Sequence, residues 1–163
     1  MNWLLFWLFL HITAAVIAFG PIFVFPIVGT LTAKHPQHMA FALELNHRIE
    51  LRLVIPLALS MLVSGSGLIW TANVNIFQTV YLIVAVLLYL IALSIAIGVL
   101  LPNTEKLLRL VGNSSPPAGA SAAPPPQVMS LIRSSQVFGG VATVLFLAII
   151  FLMIIQPGGI VLR

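Results

Sequence analysis

Residues 3–31, WLLFWLFLHITAAVIAFGPIFVFPIVGTL, decide the fold: apart from one histidine, His11, the run has no ionisable side chain. It exceeds the ~20 apolar residues that carry a helix across the hydrocarbon core of a bilayer. No basic stretch precedes it, and it is longer than the roughly 7–15 residues of a signal-peptide core, so it reads as a retained helix. An imidazole at that depth is costly to insert, and ionisable groups inside membranes are functional candidates by default.

Three further uncharged runs follow, at 53–70, 76–101 and 137–155. They explain why 61% of the chain is hydrophobic and only 6% charged, with a mean hydropathy of +1.17, where a soluble domain carries about 25% charged residues. The expected fold is an all-α integral membrane four-helix bundle, one domain over 1–163, with helices near 3–31, 40–71, 76–101 and 128–156. Residues 112–127, GNSSPPAGASAAPPPQ, read as a flexible linker that cannot build a core. The absence of cysteine excludes disulfides, thiolate metal sites and iron–sulfur clusters.

The basic residues orient the bundle. Lys34, Arg48 and Arg52 flank the first connection and Lys106, Arg109 and Arg133 the third, whereas only Arg163 lies on the opposite side. By the positive-inside rule both termini are outside and the two larger loops cytoplasmic, in a multi-pass cell (inner or plasma) membrane. The net charge of +4 then faces lipid headgroups rather than nucleic acid. Trp3, Trp7 and Trp70 fall at the outer interface, where indole rings favour the headgroup level.

Prolines punctuate the helices. Pro21 and Pro26 predict a bend or break in the inner third of the first, and Pro102 an end to the third, with 105–111, EKLLRLV, as a short amphipathic extension. In the second helix Glu44, His47, Arg48, Glu50 and Arg52 form the interfacial turns. Further along, Ser64-Gly65-Ser66-Gly67 lets a neighbouring helix or a flat ligand approach the backbone.

His11 is the leading candidate for a cofactor ligand. It sits roughly 12 Å below Trp3 along a helix, and Ala14, Ala15 and Ala18 continue its face as a groove of small side chains. Histidine is the commonest proximal haem ligand, and bundles hold cofactors between facing helices. A neutral histidine hydrogen-bonded to a serine or carbonyl is the bland alternative. Met61 lies roughly 13 Å below Trp70, at the depth of His11, and His/Met is a known haem ligation mode. His47 lies some 20 Å deeper, too far to share one iron with His11 inside one subunit. A second haem at that level could take His47 as ligand, with Arg48 or Arg52 pairing with its propionates. His35 and His38, with Glu44 and His47, offer an interfacial site for zinc or another first-row metal. Nucleophile triads, phosphate loops and intramembrane carboxylates are missing from the sequence.

Trp7-Leu8-Phe9-Leu10-His11-Ile12, followed by Gly20 and Phe25-Pro26, resembles the first helix of the haem-dependent protoporphyrinogen oxidases of the HemJ type. His47-Arg48-Ile49 through Ile55-Pro56 to Gly67-Leu68 resembles their second, and copper-resistance-D-like proteins and several other four-helix membrane families share this look. In the HemJ-type family the histidine of helix 1 binds b-type haem, which the resemblance implies for His11. That family has a functional lysine in helix 3, and residues 76–101 contain neither lysine nor histidine. The resemblance therefore covers about the first seventy residues and implies haem binding rather than the oxidase activity.

The expectation is a small membrane haem protein, an oxidoreductase or electron carrier, with haem b on His11 for electron transfer, haem handling or redox sensing. A homo-oligomer covering the haem, and a redox partner, go with it. The rivals are a cofactor-free accessory subunit associating through its small-residue faces, and an interfacial metal-binding protein.

Overall fold

The computed structural model describes residues 2–112 and 125–156; the 112–127 linker thus falls almost wholly outside the described residues. Four long helices form the fold: α1 (Trp3–Lys34), α2 (Met39–Thr71), α3 (Val80–Gly112) and α4 (Pro126–Ile155). There is no strand among the described residues. Each helix is long and apolar enough to cross a membrane, and in the most apolar window of each only 11–22% is buried by the protein. The rest faces outward, with Trp70, Ile154 and Phe41 exposed, as lipid-facing side chains do. The chain is an integral membrane four-helix bundle.

α1 runs without interruption through Pro21 and Pro26. In lipid an unpaired backbone group costs several kcal/mol, roughly as much as or more than the proline, so the helix continues rather than unravels. Pro56 and Pro102 are accommodated differently. Each follows a wide turn of π geometry, Glu50–Val54 in α2 and Ala96–Leu100 in α3. There the N–H of Ile55 donates to the Glu50 carbonyl and that of Leu101 to the Ala96 carbonyl, both five residues back. The wider turn relieves the clash of a proline ring with the carbonyl four residues before it. So α3 passes through Pro102 and takes up the amphipathic 105–111 stretch as its last turns, instead of ending there. Glu50 is eleven residues from the start of α2 and Leu100 twelve from the end of α3, which sets the two wide turns at similar heights near the basic end of the bundle.

α1 packs along the Ile55–Thr71 part of α2, and α3 along α4; the Met39–Ile49 part of α2 meets the end of α3. A small core joins the two hairpins: Ala14, Ala18, Phe19, Met61, Tyr89, Phe146 and Ile149. Phe19 stacks on Phe146 at 3.9 Å between ring centroids, and the Tyr89 hydroxyl donates to the Ala58 carbonyl. At the basic end the buried Asn103 amide donates to Ser134 and Ser135 of α4, at 3.1 and 3.4 Å.

Candidate functional site

His11 on α1 faces α2. Its Nδ1 lies 3.1 Å from the Ser64 hydroxyl, and that hydroxyl is 3.3 Å from the Met61 carbonyl, to which it donates. With the serine proton so used, the imidazole supplies the other: Nδ1–H donates to Ser64, and Nε2 keeps its lone pair. The tautomer is assigned from these partners. Holding the far ring nitrogen in this way is how proteins orient metal-ligating histidines. His11 is half-buried, and Nε2 makes no hydrogen bond among the described residues.

Around this hydrogen bond the two helices are in close contact. A Cβ at Gly65 would stand 3.4 Å from His11 Cε1 and 3.7 Å from Nδ1, so that edge of the ring approaches the glycine closely. A Cβ at Gly67 would overlap the Trp7 indole. Ala14 and Ala18 are buried in the core, Ala18 completely. Gly65 and Gly67 thus admit His11 and Trp7 of α1 against α2, while Ala14 and Ala18 lie in the core that joins the two hairpins. For a b-type haem the ligand fits, with a pre-oriented imidazole whose Nε2 is available, but the alanine face below His11 is taken up by packing.

Met61 is buried at the level of His11, its carbonyl facing the same imidazole and its side chain in the core. His47 is far away at the basic end, half-buried, with Nδ1 sealed from solvent and without a hydrogen-bond partner among the described residues. Arg48 pairs with Glu44 on the surface at 2.5 Å, and Arg52 is exposed. His35 and His38 are exposed around the Pro36–His38 turn, ring centroids 6.5 Å apart. No three His, Asp or Glu residues among those described are grouped so as to hold a metal ion.

Two residues escaped the sequence reading. Glu50, taken there for an interfacial side chain, is 7% exposed; it begins the wide turn of α2 and stands near enough to Glu105 for the two carboxylates to repel. Asn103, which drew no attention, is 8% exposed and ties α3 to α4. Proline six residues beyond Glu50, and one residue before Asn103, was the available signal. A wide turn rotates the following residues relative to a regular helix, so helical periodicity through these segments misplaces the buried face.

Four membrane-crossing helices, one polar contact between the first two and a second polar group at the basic end define a polytopic membrane protein of the all-helical class. The chain belongs to the DUF2269 family, described as predicted integral membrane protein, which it matches over residues 5–157. No match to the HemJ-type or copper-resistance-D-like families accompanies it. No curated protein and no solved structure matches the chain.

Proposed function

We propose that the protein binds b-type haem in the cell (inner or plasma) membrane, with His11 Nε2 as axial ligand, for electron transfer, haem handling or redox sensing. One observation carries the reading: the intramembrane imidazole is held at Nδ1 by Ser64, which leaves Nε2 as the free donor. Haem at the edge of α1 and α2 would be exposed to lipid, which supports a homo-oligomer whose second copy covers it and a redox partner that exchanges its electrons. Met61 is level with His11, but its side chain is committed to the core, so a five-coordinate iron or a ligand from a second copy fits better. His47, with Arg48 or Arg52 for propionates, would serve a separate haem at the basic end.

The test is the absorption spectrum of the protein purified from haem-replete membranes. A Soret band that disappears in His11→Ala and weakens in Ser64→Ala, with haem affinity about 10–100-fold lower as for other supporting partners of ligands, is the expected result. No Soret band, or one that His11→Ala leaves unchanged, overturns the reading.

A second reading is favoured by the packing itself. Gly65 and Gly67 are consumed in closing α1 on α2, and Ala14 and Ala18 in the core of the bundle, which is all that a cofactor-free accessory subunit would ask of them. Under it His11→Asn, able to keep a hydrogen bond to Ser64, retains stability and the protein is colourless throughout.

A further inference from the structure

Independently of the haem reading, the charges at the basic end are not balanced within the chain. It contains three acidic residues. Glu44 is paired with Arg48, Glu50 is buried in the bundle, and Glu105 stands against Glu50. Residues 113–124 add none. Lys106 and Arg109 make no ion pair with a side-chain carboxylate among the described residues, Glu105 one turn before Arg109 included. Both are exposed on the last turns of α3, and together they line one cleft of ≈400 Å³ against the first turns of α4.

The rest of the lining matches an anionic amphiphile. Gln127 and Ser130 of α4 border the cleft, and Leu110 and Leu131 give it apolar wall. α4 starts here with no side-chain cap and no acidic residue in its first turn, so the positive end of its dipole is not neutralised locally. Basic pockets between membrane helices at a cytoplasmic surface are suited to lipid headgroups.

We propose that this cleft binds the phosphate of an anionic phospholipid: Lys106 and Arg109 hold the phosphodiester, Gln127 supplies an amide donor, and Leu110 and Leu131 receive the start of an acyl chain. The apolar wall distinguishes a lipid from a free phosphate, which would gain nothing from it.

The test titrates the full-length protein in neutral detergent with phosphatidylglycerol in a phosphatidylcholine background and counts bound lipid by native mass spectrometry. A basic side chain near an anionic lipid surface contributes ~1 kcal/mol, or about fivefold in affinity. Lys106→Gln should weaken phosphatidylglycerol binding about fivefold, and together with Arg109→Gln about 25-fold, whereas Lys34→Gln, which removes one charge elsewhere at this end, should change it less than twofold. Equal losses in Lys106→Gln and Lys34→Gln mean diffuse attraction and overturn the proposal. Inorganic phosphate displacing the lipid at comparable concentration overturns it in favour of a soluble phosphate. Should the double variant fail to fold, Ser130→Cys, the chain's one thiol, can be alkylated with a bulky neutral reagent with both cations in place. Loss of binding then supports the site, and retention overturns it.

Discussion

The two ends of α2 solve the same problem in opposite ways. Toward Thr71, the α1–α2 contact carries a polar side chain into the membrane and satisfies it: His11 donates to Ser64, and Ser64 to the Met61 carbonyl. Toward Met39, the wide turn draws Glu50 largely out of solvent and faces it with Glu105, and His47 Nδ1 is sealed and without a hydrogen-bond partner among the described residues. A paired polar group in the membrane contributes modestly to helix association, whereas an unpaired one costs about 1–3 kcal/mol. The first end is built for close packing. The second retains a cost that packing alone does not explain, and such groups call for a functional account.

The largest effect should come from breaking the packed end. Gly67→Val places a branched side chain into the Trp7 indole, and overpacking of this kind costs about 1–3 kcal/mol or more. Thermal unfolding in detergent should drop accordingly, and Trp7→Ala in the same chain should restore much of the loss. Full stability of Gly67→Val on its own would mean that α1 and α2 do not meet there.

The next two substitutions set the ends against each other. Glu50→Gln removes a carboxylate that desolvation and the neighbouring Glu105 both disfavour while keeping the shape, so the folded state should gain about 1 kcal/mol. Ser64→Ala removes a partner from a satisfied pair and should lose about 0.6 kcal/mol, the average for hydrogen bonds between membrane helices. Chemical denaturation in mixed micelles reads both. Opposite signs sustain the contrast; a loss at Glu50 would mean that its carboxylate has a partner, and would remove the reason for treating that end as unsatisfied.

What could be read from the sequence divides along the same line. The four helices followed from uncharged run length, because a bilayer penalises any exposed backbone and fixes both the length and the kind of element that crosses it. The hydrogen-bonded end was partly legible as well. His11 stood out as an ionisable residue in an apolar run, depth counting put Met61 at its level, and the serine–glycine stretch marked a close approach. That the approaching group is α1 itself, through Trp7 and His11, depends on helix rotation, which an all-apolar helix with no polar face does not encode. Glu50 was misjudged for a related reason. Its position among charged neighbours resembled an interface, and only the wide turn before Pro56 shows which way it points.

The smallest effect tests whether that turn is fixed by its proline or by its neighbours. In α3 the wide turn before Pro102 leads directly to Asn103, whose two hydrogen bonds to Ser134 and Ser135 pin the register of the last turns of the helix. Pro102→Ala restores an N–H that could pair with the Gly98 carbonyl and close the turn to regular helix, but closing it would rotate Asn103 by about 100° and break both bonds. The bonds are together worth about 1 kcal/mol, so the turn should survive, with stability changed by only tenths of a kcal/mol and Ser134→Cys still protected from alkylation. At α2 the Tyr89–Ala58 bond holds the segment after Pro56, but no side-chain hydrogen bond to another helix among the described residues holds the segment before the turn, so Pro56→Ala should let the turn close and swing Glu50 relative to α3, seen as faster alkylation of Glu50→Cys. If both variants behave alike, proline alone sets the geometry, and the difference between the two turns lies in sequence rather than in the hydrogen bonds around them.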